Sequence, residues 1–149
     1  MAPERAVAVL ETLAKEAPRA YTSALAAAGA AMKARPVFLA RQTPEKRAEA
    51  VRRCLSRVAA NDLAEELLAT YFLDCRKALL VEWLDALGLE HEEGILKVDA
   101  PPEPPPAELE KRVAAFLAGD DAGDRDLLLR AFAAQEAVEW PTLEEALAR

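Results

Sequence analysis

Apolar residues recur every three to four positions along this chain, and proline and glycine cut the pattern into short blocks. Val7, Leu10, Leu13 and Ala14 share one helical face, which predicts a first helix opening at Pro3 and running to about Glu16. Pro18 opens a second, to about Lys33, with Tyr21, Leu25, Ala28 and Met32 as its stripe. The small residues beside that stripe let a neighbouring helix come close. Val37, Phe38 and Leu39 read as an apolar plug in the connection that follows Arg35 and Pro36. Thr43-Pro44-Glu45 joins a capping hydroxyl, a proline and a first-turn carboxylate, and so starts a third helix, to about Ala60. Val51, Cys54, Leu55 and Val58 face inward on it.

Asn61-Asp62, with Glu65 three positions on from Asp62, is the next start signal. Residues 63–87 then contain neither glycine nor proline, and Leu68, Phe72, Cys75, Leu79, Trp83 and Ala86 form one stripe. One long helix fits this stretch. Two helices broken near Asp74 fit it equally and are preferred, because a break lets both halves enter one core. Gly88 stops the pattern. The segment from Glu90 to Val98 has the only strand-like end, at Ile95–Val98, with no evident partner in the chain. Pro101–Pro106 makes a stiff connector. A helix to about Ala118 carries Leu109, Val113, Phe116 and Leu117 inward. Another, to about Ala137, carries Leu128, Ala131 and Phe132, and a short last helix is capped by Thr142 and Glu145.

The expected fold is therefore all-α: an irregular orthogonal bundle of six to eight helices with negligible strand. The expected organisation is a main helical domain over 1–100, the connector over 101–106, and a C-terminal segment over 107–149 packed on the main domain. Leu68, Phe72, Leu79, Leu84, Val51, Leu55 and Phe116 are its expected core. A chain of 149 residues buries enough surface to need no metal or disulfide. Its 52% hydrophobic and 30% charged residues are a globular balance. Richness in alanine, with arginine over lysine, is the composition of a GC-rich bacterial genome. The N-terminal stretch lacks the apolar core of a signal peptide, and no run approaches the length of a membrane span, so a cytoplasmic site and no membrane partner are expected.

Charge changes the picture more than composition does. Between Lys33 and Arg57 stand eight basic residues against two acidic ones, whereas the whole chain carries −7. Lys46, Arg53 and Arg57 fall on one outward face of the third helix and form the candidate interaction surface. Such a face can hold phosphates, but the overall charge repels nucleic acid at long range. It can equally meet acidic helices of this chain or of a second copy, and Glu49 is placed to pair with Arg53. Catalytic apparatus, cofactor loops and metal motifs are not visible. His91 among Glu90, Glu92 and Glu93 reads as an exposed loop histidine, and the loop of Asp120, Asp121, Asp124 and Asp126 lacks the glutamate that a calcium site requires. Cys54 and Cys75 read as reduced thiols. The expected role is a non-enzymatic protein–protein interaction module, binding a partner or itself as a homodimer, with Trp83 and Trp140 as candidate interface surfaces. The alternatives are nucleic-acid binding through segment 33–57, or a small-molecule binder with an interhelical pocket.

Overall fold

A computed structural model describes residues 3–33, 36–57, 60–135 and 137–148. The protein is all-α: 73% of the described residues are helical, and a two-strand hairpin is the only sheet among them. Nine α-helices are found there, against six to eight expected, because the apolar plug is itself a short helix. The chain divides into two compact units, 1–75 and 76–149. The proline segment lies within the second unit.

The first unit holds α1 (Pro3–Glu16), α2 (Pro18–Ala31), α3 (Pro36–Ala40), α4 (Pro44–Leu55) and α5 (Asn61–Thr70). Helices α1, α2 and α4 pack on one another. Val9, Leu10 and Leu13 of α1 are buried, and so are Ala48, Val51 and Cys54 of α4. On α2 the buried face is Tyr21, Ala24, Ala28 and Gly29. The expected stripe was partly wrong here: Leu25 is half-buried and Met32 is exposed. Small side chains let the α2 and α4 backbones approach, and that contact outranks the larger apolar residues.

Thr43 caps α4 as expected, its hydroxyl accepting from the Lys46 amide at 3.2 Å. The helix stops at Leu55 instead of Ala60, with the Ser56 hydroxyl bonded to the Arg53 carbonyl at 2.7 Å. Val58, expected inward, lies outside the described residues, as does Arg35. The Asp62–Glu65 capping box does not form, and α5 opens at Asn61 without a side-chain cap.

The stretch 63–87 is broken, as preferred, but not by Asp74. Residues Tyr71–Cys75 form a π turn, and Arg76 (φ −134°, ψ 37°) separates it from α6 (Lys77–Ala86). The wider turn advances the helical phase, so one stripe cannot persist through it. Phe72 and Leu84 are buried as expected, whereas Leu68 and Leu79 are only half-buried, and Leu67, Tyr71 and Trp83 take the interior places.

The second unit continues from α6 into β1 (His91–Glu92) and β2 (Ile95–Leu96), an antiparallel hairpin pairing His91 with Leu96 and Glu92 with Ile95. Ile95 thus has its strand partner in its own chain. Glu93 and Gly94, at φ 51° and 93°, make the tight turn that such hairpins favour. Helices α7 (Pro106–Leu117), α8 (Ala122–Ala133) and α9 (Pro141–Ala148) then pack pairwise. Their core is a chain of aromatic rings. Trp83 meets Phe116 at 5.2 Å and Phe132 at 6.0 Å, and Phe132 meets Trp140 at 5.2 Å. Both tryptophans are therefore interior, 0% and 1% exposed, and not the interface surfaces expected of them. Thr142 does not cap α9 with Glu145. Its amide instead donates to the carboxylate of Glu103 at 2.8 Å.

Candidate functional site

In the first unit, α1, α4 and α5 leave a groove of about 310 Å³. Its lining is Ala6, Val9, Leu10 and Leu13 from α1, Leu55 with Arg52 and Ser56 from the end of α4, and Ala64, Leu67 and Leu68 from α5. Leu10 and Leu13 are buried at its base, while Leu55 and Leu68 are half-exposed. This is why Leu55, expected in the core, is not fully buried: three helices meet at their apolar stripes without closing the space between them.

The polar element of the lining is held by α4. Arg52 donates through Nε to Glu49 Oε2 at 2.8 Å, and Arg53 donates to Oε1 of the same carboxylate at 3.3 Å. The expected pair between Glu49 and Arg53 is present, but Arg52 is the shorter partner. Its hydrogen bonds and charge, with those of Arg53, hold the Glu49 carboxyl down to about 2.

Lys46 and Arg53 stand seven residues apart on α4, close to two helical turns, and both are exposed. Arg57 is also exposed but lies beyond the end of α4. Around this surface the first unit carries 11 basic and 9 acidic residues, and the second carries 8 and 17.

His91 is not an exposed loop histidine. Its side chain is 13% exposed, and Nε2 meets Asp85 Oδ1 at 2.7 Å. The Gly94 amide donates to Nδ1 at 3.2 Å, which assigns the ring proton to Nε2. Both nitrogens are thereby engaged in holding the hairpin on α6, and neither offers a lone pair to a substrate.

The acidic loop is likewise a structural device. Asp124 is buried and paired with Arg76 at 3.1 Å, and Asp126 pairs with Arg130 at 2.8 Å. Arg125, also buried, donates to the Asp120 carbonyl at 2.6 Å and the Phe116 carbonyl at 3.2 Å, and meets Glu82 at 2.9 Å. Its guanidinium lies 4.7 Å from the centre of the Phe116 ring. Gly119 makes room for it, since a Cβ there would stand 2.5 Å from Arg125 Cζ. Among the described residues no group of three or more His, Cys, Asp or Glu could hold a metal ion. Cys54 and Cys75 are not joined in a disulfide. No described helix is long and apolar enough to cross a membrane.

Sequence reasoning singled out Lys46, Arg53 and Arg57 but not the groove, whose lining includes Arg52 and none of the three. Comparison with protein-family models, with curated proteins and with solved structures finds no match to this chain.

Proposed function

We propose that the protein is a non-enzymatic binding module, whose first unit takes the apolar face of a helix from an acidic protein partner. The observation that carries this reading is the groove between α1, α4 and α5, lined by leucine, valine and alanine with Arg52 as its one charged side chain. Helix-in-groove recognition needs this arrangement: an apolar slot for side chains spaced three and four apart, and a polar edge that fixes register. Lys46, Arg53 and Arg57, all exposed, add a basic flank that favours carboxylates on the incoming helix and speeds their encounter.

A displayed library of amphipathic helices tests it. Selection on the full chain is expected to enrich paired leucines flanked by glutamate. Leu68→Glu, at a half-exposed position of the groove, should weaken those helices about tenfold or more. Equal binding to the Leu68→Glu chain would overturn the reading. A second reading, a small apolar ligand in the same groove, is favoured by its volume, which lies at the lower end of small-molecule sites. Displacement of a solvatochromic naphthalene-sulfonate dye by the selected helices, but not by short fatty acids, separates the two.

A further inference from the structure

Five large apolar side chains are exposed among the described residues, and they form two groups. Met32, Val37 and Phe38, at 44%, 60% and 57%, stand at the end of α2 and on α3. Ile95 and Val98, at 62% and 38%, stand on and just after β2. Scattered single apolar residues need no explanation on a protein surface, but grouped ones mark contact sites. The two groups also differ in the sign of their surroundings. Residues 32–41 contain Lys33, Arg35 and Arg41 and no acid, a net of +3. Residues 90–99 contain Glu90, Glu92, Glu93 and Asp99 against Lys97, a net of −3 with His91 neutral.

We infer that the basic apolar face around Phe38 on one copy of the chain docks on the acidic apolar face around Ile95 on a second copy. Each face offers what the other lacks: apolar side chains to be covered, and a rim of opposite charge. A face meeting its own kind would set like charge against like, which is repulsive. The contact is therefore between unlike faces. It uses surfaces other than the groove and stands or falls apart from the function proposed above. The patches are small beside the 1,200–2,000 Å² or so of a stable interface, so association belongs to the high micromolar range. It weakens with salt, as rim charges are screened.

Two measurements on the full chain test this. In light scattering at low salt, the mass should rise above 16.2 kDa as concentration reaches several hundred micromolar, and fall back in high salt. Phe38→Asp and Ile95→Lys, both at exposed positions, should each weaken association about tenfold or more while leaving the helical circular dichroism unchanged. Proximity is then read by crosslinking in a Cys54→Ala, Cys75→Ala background. A mixture of Ala40→Cys and Ala100→Cys chains, exposed positions that leave both apolar groups intact, should give the mixed dimer in excess of either like-with-like product. Ala115→Cys, an exposed position on α7, sets the background level. A mass that stays at 16.2 kDa throughout, or crosslinks that are like-with-like or no better than background, would overturn the inference.

Discussion

The indole N–H of Trp140 donates to the carbonyl of Pro101 at 2.9 Å, joining positions 39 residues apart. Two residues further along from each partner, the Thr142 amide donates to the Glu103 carboxylate at 2.8 Å. The proline segment is therefore tied down along the start of α9, and Pro101 is buried. A carboxylate at a helix N-terminus satisfies an orphan amide and meets the positive end of the helix dipole. Trp140→Phe keeps the ring contact with Phe132 but leaves the buried carbonyl of Pro101 without its donor. Urea unfolding should register a loss of about 1–3 kcal/mol.

Gly119 and Arg125 should be strongly coupled. Gly119→Ala forces a methyl against a guanidinium held by two carbonyls and Glu82, and should cost about 1–3 kcal/mol. Arg125→Met alone also destabilises, by taking the donor from the Asp120 carbonyl and leaving the Phe116 carbonyl with the Gly119 amide alone. In the Arg125→Met chain, however, the added methyl meets a flexible apolar side chain, so its cost falls. A double-mutant cycle should give a coupling of about 0.5–3 kcal/mol, and a coupling of zero would mean that the guanidinium does not occupy this site.

Phe72 and Leu79 share a predicted stripe but not an environment. Phe72 is 4% exposed and meets the Tyr71 ring edge-on at 5.1 Å, whereas Leu79 is half-buried beyond the π turn. Phe72→Ala should cost about 3–5 kcal/mol and Leu79→Ala clearly less, under about 2 kcal/mol, in chemical denaturation. Equal losses would place both on one continuous helix.

The Glu49 carboxyl, held at about 2 by Arg52 and Arg53 against an ordinary 4.5, makes the first unit acid-sensitive. A depressed folded value adds stability that is complete above 4.5 and is lost as the pH falls toward 2. The native chain should exceed Glu49→Gln in stability near neutrality, and the two curves should converge across that window. Because the pair is half-exposed, the separation is small and shrinks with salt.

What could be read from the chain was local. Pro3, Pro18 and Thr43-Pro44 start helices because proline at the first turn and a capping hydroxyl act within a few residues. The hairpin had a local signal too, Glu93-Gly94 between His91-Glu92 and Ile95-Leu96, which two-residue strands make easy to pass over. A break near Asp74 is preferred so that both halves can enter one core, but no glycine or proline marks its place at Arg76. The groove is harder still. Leu55 and Leu68 carry the pattern of core residues, and whether three apolar stripes close on one another depends on how the helices cross, which periodicity does not encode. The same holds for Trp140 and Pro101, whose bond joins positions 39 residues apart.

Both tryptophans, Trp83 and Trp140, belong to the aromatic core of residues 76–149, and both tyrosines, Tyr21 and Tyr71, belong to residues 1–75. Each half of the chain thus carries its own intrinsic chromophore, with no label to add. Emission excited selectively in indole follows the melting of one half alone, and the near-ultraviolet tyrosine signal follows the other. Superimposable curves would mean that the two units unfold as a single cooperative block, and separated midpoints would give each unit its own free energy from one sample.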